Sequence, residues 1–340
     1  MKLCITHETR YDYVPAVDIA QHMAYLQPLS TANQQVLSHQ LQITPTPTQQ
    51  ISAVDVYGNT RQFFSLQGAH SQLSVVARSL VSTQAYPMPE STVPWEQVRE
   101  RFRYVAHKPF DHAAEFVFAS PFVVRHADFA TYARPSFGAA VPLVAAARDL
   151  MQRIYTDFTY ESHSTEINTP ALEALAQRTG VCQDFAHIMI ACLRAYGLPA
   201  RYVSGYLLTH PAEGKQRLVG SDASHAWVSV YLPDLPESPA GARWCDFDPT
   251  NNRDGWGTPG EDYVTLAIGR DYADVSPIRG VIHGGANHAL RVGVTVEPFE
   301  SSVGTGGLQS QSQSQSQAHF PTLMPFDFQA PQVSVTSGAA

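Results

Sequence analysis

Cysteine is scarce in this chain of 340 residues, and the four present, Cys4, Cys182, Cys192 and Cys245, include no Cys-x-x-Cys pair. That excludes a disulfide framework and a zinc-finger spacing. Charge is sparse too, at 15% of residues, and its balance is negative, formally −8. No basic stripe is available to neutralise phosphates, so neither nucleic acid nor an anionic membrane surface is an expected partner. No apolar run approaches the about 20 residues a bilayer-spanning helix needs. The opening residues, Met1-Lys2-Leu3-Cys4-Ile5-Thr6-His7-Glu8, turn polar too early for a signal peptide. The expectation is a soluble, cytoplasmic protein whose thiols stay reduced. Fourteen histidines are scattered without forming a tract, and no cofactor is expected.

What is present has several textures. Residues 1–85 read as a small β-sandwich, with short alternating runs at 19–29, 36–43, 51–56, 60–66 and 72–81. Gly58-Asn59 is a hairpin signal between two of them. Residues 86–140 form a connector broken by prolines, with a helix from Trp95 to His107 and an aromatic-rich stretch at 108–142 that either packs over a cleft or covers the joint between domains, the second being preferred. From Pro142 helical spacing takes over, and residues 141–298 form a second domain. Leu143, Ala146, Ala147, Leu150, Met151 and Ile154 make one helix, and Asn168-Thr169-Pro170 starts another. Strands follow at 200–208, 224–232, 243–248, 263–268 and 288–296. Helices followed by strands give an α+β class with helices packed on an antiparallel sheet. Residues 299–340, with an unbroken Gln-Ser alternation at 309–317, have no apolar face to bury and read as a disordered tail.

One helix organises the second domain. Phe185, Ile188, Met189, Cys192, Leu193 and Tyr196 repeat as a single apolar stripe. Gly180 allows a sharp turn before it, and Gly197-Leu198-Pro199 is a stop signal. Cys182 falls on the first turn, where unpaired N–H groups and the helix dipole favour a thiolate. Taken alone, it reads first as a small buried apolar residue, as most free cysteines are. Cys182, His187 and Cys192 as metal ligands are excluded, because five-residue steps point them in different directions around the helix.

A base and an orienter lie downstream. Ser224-His225-Ala226-Trp227-Val228-Ser229-Val230-Tyr231-Leu232 alternates, with Ala226, Val228, Val230 and Leu232 on an apolar face. His225 lies on the other face, near the start of the strand. Arg243-Trp244-Cys245-Asp246-Phe247-Asp248-Pro249-Thr250 is a neighbouring strand. Asp246 and Asp248 share one face, and either carboxylate would sit beside the imidazole in an antiparallel pair.

These pieces, with Arg194 to Tyr206 between them, resemble the transglutaminase-like core. The N-terminal β region resembles the domain that accompanies bacterial members, with Thr9-Arg10-Tyr11-Asp12-Tyr13 and residues 55–59 as its marks. The resemblance implies a papain-like transglutaminase fold. It also implies a triad of Cys182 in Gly180-Val181-Cys182, His225 in His225-Ala226-Trp227 and Asp248 in Asp248-Pro249-Thr250, which selects Asp248 over Asp246. It implies acyl transfer through a thioester on a peptide or protein substrate, with hydrolysis expected from the bacterial members. Cross-linking to an amine, or a non-catalytic peptide-binding module, are the alternatives. The Cys182 N–H is one expected oxyanion donor, and Gln183, Tyr160 and Trp227 are candidates for a second. No metal is expected, since no acidic calcium loop is visible.

Overall fold

The computed structural model describes residues 1–107, 109–161, 168–209, 224–235, 243–284 and 287–299. The expected tail and the loop at 210–222 fall outside them, apart from Phe299.

The first sheet is built on two long strands. It comprises β1 (Lys2–Ala24), β2 (Gln34–Thr44), β3 (Gln49–Val54) and β4 (Thr60–Thr83), joined at the end of the chain by two more. β1 and β4 pair antiparallel from Lys2↔Ser82 to Ala24↔Gln62. The break expected between 66 and 72 does not occur. Gly68, at φ +109°, and a register shift near Val17 kink the ladder without ending it. Leu73, Val75 and Ala77 pack in one cluster with Phe64, Leu66, Ala20 and Ala24 from the other half of the strands. The sandwich-like core therefore comes from one sheet coiling on itself. The hairpin between β3 and β4 has a loop of residues 55–59 in place of a two-residue turn. Asp55 Oδ1 organises it by accepting the N–H groups of Tyr57 and Asn59, both at 2.9 Å.

The middle of the chain supplies helices α1 (Trp95–Arg101), α2 (Ala127–Ala133) and α3 (Leu143–Asp157). It continues with β5 (Thr159–Tyr160), α4 (Ala171–Gln177), β6 (Thr179–Gly180) and α5 (Cys182–Ala195). The expected connector is part of the main core and does not merely cover a joint. Trp95, Val98, Val123, Phe129, Tyr132 and Phe137 belong to the same buried cluster as α3 and α5. Their aromatic bulk explains this, since such side chains gain most from a shared interior.

The second sheet contains β7 (Ala200–Leu207), β8 (Ser224–Tyr231), β9 (Trp244–Asp248), β10 (Arg253–Trp256) and β11 (Tyr263–Gly269), in the order β10-β9-β8-β7-β11, all antiparallel. After the short helix α6 (Tyr272–Val275), β12 (Ile278–Gly284) and β13 (Asn287–Pro298) return to the first sheet and pair with β1. This corrects the boundary expected at residue 298. Residues 278–298 complete the N-terminal sheet because the outer edge of β1 needs backbone partners along its whole length.

α5 sits at the centre. Every residue from Asp184 to Arg194 is buried, so the expected stripe understates it. The stop is a Schellman arrangement: Leu198 N–H donates to Leu193 C=O at 3.1 Å and Gly197 N–H to Arg194 C=O at 3.0 Å, with Gly197 at φ +74°. The two modules meet at β11. Its free edge is closed by two buried amides: Gln34 exchanges hydrogen bonds with the backbone of Thr265 at 2.7 and 2.8 Å, and Asn59 does the same with Ile268 at 2.7 and 2.8 Å. Thr265 C=O also accepts the Leu29 N–H at 3.1 Å, and without the two amides the remaining strand groups would be buried without partners.

Candidate active site

Cys182 is the first residue of α5 and is half-buried. Its position is set locally. β5 and β6 pair in parallel, Tyr160 opposite Gly180, and Glu161 N–H donates to Gly180 C=O at 3.0 Å. Asp184, three residues on and buried, accepts the Val181 N–H at 2.9 Å. That closes the entry to the helix in the manner of a capping box. Gly180 is required there, since a β-carbon would lie 2.8 Å from the Asp184 carboxylate.

His225 lies on the face of β8 opposite Ala226, Val228 and Val230, which pack into the helical core. Its Nε2 is 2.7 Å from Asp248 Oδ2, and both side chains are buried. That leaves Nδ1 as the nitrogen to meet the Cys182 side chain. Burial presses the imidazole toward its neutral form. The Asp248 charge, the hydrogen bond to it and the facing Cys182 outweigh burial and raise the His225 pKa well above its ordinary value. For Asp248, burial would favour the neutral acid. The His225 charge and hydrogen bonds from His225, Asn251 and Tyr263 prevail and hold it below the usual carboxylate range. A thiol at a helix start beside an imidazolium anchored by a buried carboxylate can serve nucleophilic acyl transfer.

The other sequence candidates separate. Asp246 does share a face with Asp248, but its Oδ2 accepts the Trp227 indole N–H at 2.9 Å, and it does not meet His225. The same bond removes Trp227 from the oxyanion candidates. Its one donor is spent, and the ring is fully buried against Val203 and Tyr263. Tyr160 is half exposed and close enough to Cys182 for the two to repel as anions; burial first, then Cys182, raises its pKa. Gln183 follows Cys182 on the first turn and is half-buried. Cys192 is fully buried and its thiol is pushed up by burial, as a core residue should be. His187 accepts the Tyr272 N–H at 3.2 Å and stacks on Phe122. Among the described residues no group of three or more His, Cys, Asp or Glu gathers as a metal site, and no helix is long and apolar enough to cross a membrane.

Four residues of the site went unread in the sequence. Asn251 Nδ2 donates to Asp248 Oδ2 at 2.7 Å, and Asp248 Oδ1 accepts the Thr250 N–H at 2.8 Å. This is an Asx-type turn, and Asp-Pro-Thr-Asn could have signalled it. Tyr263 donates its hydroxyl to Asp248 Oδ2 at 2.7 Å from β11, reaching across β7 and β8. Arg253 holds that ring, pairing bidentately with Asp262 at 2.6 and 2.7 Å with its guanidinium 4.7 Å above the ring centroid. Gly205 lies opposite His225, and a β-carbon there would be 2.4 Å from the Trp227 ring and 2.2 Å from Val264 C=O. No local signal marks Tyr263 or Gly205, because both act across strands.

Comparison with known proteins agrees with this architecture. Residues 130–249 match the family model of the transglutaminase-like superfamily, and residues 3–82 match that of the bacterial transglutaminase-like N-terminal region. Uncharacterized proteins of Mycobacterium tuberculosis and Mycobacterium bovis are 41% identical over 303 residues, covering 87% of this chain and 92% of theirs. A protein-glutamine gamma-glutamyltransferase of Pseudomonas aeruginosa is 35% identical over 117 residues, which are 32% of this chain and 15% of that protein. A solved structure of a candidate cysteine protease from Cytophaga hutchinsonii superposes with a TM-score of 0.66 at 22% identity, over 93% of this chain and 98% of that one. The chain belongs to the transglutaminase-like superfamily.

Proposed function

We propose that this superfamily member hydrolyses peptide or isopeptide amide bonds through a thioester on Cys182, with His225 as acid and base and Asp248 as orienter. The observation that carries the reading is the buried 2.7 Å contact between His225 Nε2 and Asp248 Oδ2, with Nδ1 left for Cys182. The Cys182 sulfur attacks the amide carbonyl, forming a C–S bond and an oxyanion. The Cys182 N–H, unpaired within the helix at its first position, is available to that oxyanion. As the C–N bond breaks, the His225 imidazolium gives its proton to the departing amine. Water then adds to the thioester, His225 takes its proton, and the thiolate leaves the product carboxylate. Asp248 remains ionised throughout and fixes the ring. Tyr263 and Asn251 keep the carboxylate in place. Tyr160 and Gln183 stay candidates for the second oxyanion donor.

Similarity to the Pseudomonas protein-glutamine gamma-glutamyltransferase favours a second reading, in which an amine takes the place of water. The two are separated by incubating the protein with a glutamine peptide and an isopeptide, with and without a primary amine, and weighing the products. Hydrolysis predicts free acid as the main product even with amine present. Amine incorporation that outruns acid formation selects transfer instead.

A further inference from the structure

The face of the second sheet that carries His225 has a different chemistry at its far end. Tyr231 closes β8 and pairs with Trp244 of β9, about 20 Å from His225 at ~3.3 Å per residue. A cavity of about 1300 Å³ opens there, between that sheet end, α1 and residues 109–118. Its floor is aromatic. Tyr231 and Trp244 lie 5.1 Å apart by ring centroid, and Phe102 and Phe116 meet them edge-on at 5.6 and 5.3 Å. Its rim carries large side chains left in solvent: Tyr104 is 91% exposed, Val56 88% and Phe110 70%. Apolar surface concentrated in this way marks a binding face.

One cation in the wall has no hydrogen-bond or ion-pair partner among the described residues. Arg201 stacks its guanidinium 4.1 Å above Trp244 and lines the cavity. Its Nε is buried without a hydrogen bond, and the side chain forms no hydrogen bond or ion pair among the described residues. The side chain is half-buried and forms part of the cavity lining. Burial pulls its pKa down to about 10 despite the attraction of Asp246. The carboxylates that share the lining are engaged elsewhere: Asp111 with Arg101, Glu115 with the Tyr57 hydroxyl, and Asp234 with Ser91. A desolvated guanidinium without a partner is costly, and a carboxylate accepting from it supplies the missing charge-assisted bonds.

We infer that this cavity is a docking site, separate from Cys182 and His225, for a polypeptide segment that presents a carboxylate among large apolar side chains. The volume exceeds the roughly 300–1,000 Å³ of ordinary small-molecule pockets and suits several residues of peptide. The site would select or hold a protein partner regardless of whether the chemistry at Cys182 is hydrolysis or transfer.

The test uses the full chain carrying Cys182→Ala, so that nothing is cleaved. The probe is a fluorescein-labelled octapeptide of alternating phenylalanine and glutamate, blocked at both ends, beside its glutamine counterpart. Fluorescence anisotropy should show the glutamate peptide binding about tenfold or more tightly than the glutamine one, in a salt-sensitive way. Arg201→Gln should abolish that preference. Phe110→Ser, at an exposed position that leaves the melting temperature unchanged, should weaken binding several-fold. Equal affinity for the two peptides overturns the inference. So does unchanged binding in folded Phe110→Ser, which decides the matter even if Arg201→Gln fails to fold.

Discussion

The surroundings of Asp248 and of Asp246 differ far more than their positions do. Both lie on one face of β9, two residues apart and buried to a similar degree. Asp248 is held below the usual carboxylate range, against burial, by the His225 charge and by hydrogen bonds from His225, Asn251 and Tyr263. Asp246 is raised by burial, which the Trp227 hydrogen bond, the nearby Ser229 hydroxyl and the Arg201 charge do not overcome. Burial alone therefore does not set the role of a carboxylate. A cation in direct contact decides the direction in which a buried carboxylate is shifted, and a carboxylate held ionised can anchor an imidazolium.

The widest gap should appear in activity. Asp248→Asn keeps the shape of the site but removes the charge, and kcat/KM should fall about 10³–10⁴-fold, as carboxylate-to-amide changes in triads do. Asp246→Asn should stay within a few-fold of the parent in the same assay. If both variants lose activity alike, the distinction between the two carboxylates fails.

Trp227→Phe probes the Asp246 side. It leaves a buried acceptor without its donor and should cost about 1–3 kcal/mol of unfolding free energy by chemical denaturation, through packing and the lost bond. Tyr263→Phe removes one of the donors to Asp248. It should lower kcat/KM by about tenfold, the effect of one net hydrogen bond of roughly 1.5 kcal/mol.

The pH dependence of stability should have opposite signs at the two sites. A carboxylate whose folded pKa is depressed contributes stability above its unfolded pKa of about 3.9 and loses it as pH falls through the folded value. Asp248→Asn should therefore be destabilised near neutral pH, with the gap to the parent narrowing on acidification below about 3.9. Asp246 has a raised folded pKa, so its ionisation costs stability that is absent below about 3.9. Asp246→Asn should gain on the parent as pH rises toward neutrality. Denaturation midpoints across that range check both. For His225 the raised pKa means its contribution is complete below about 6.5 and fades as pH climbs through the folded value. Asp248→Asn should bring that fading, and the alkaline limb of activity, down in pH.

Much of the site was readable along the chain. The helix from Cys182 to its stop at Gly197, the alternation that turns His225 away from the core, and the shared face of Asp246 and Asp248 follow from local periodicity and turn chemistry. Family resemblance then separated the two aspartates. Residues that act across strands escaped. Tyr263 is three strands away from β9 in sheet order, and Asn59 completes the edge of β11 from another module. The coiling of β1 and β4 also escaped, because short apolar runs look like separate strands when Gly68 interrupts them without ending the ladder. The return of β12 and β13 to β1 depends on which edge is left unpaired, and no local window of sequence carries that.

The central claim is that Cys182 carries the acyl group. Intact-protein mass spectrometry of the chain quenched in acid during turnover of an activated ester or amide tests it most directly. The account predicts one acyl group per chain, mapping to Cys182 and absent from Cys182→Ala, accumulating to a higher level in a variant impaired in deacylation. Undiminished turnover by Cys182→Ala, or an acyl group that maps to another residue, contradicts it.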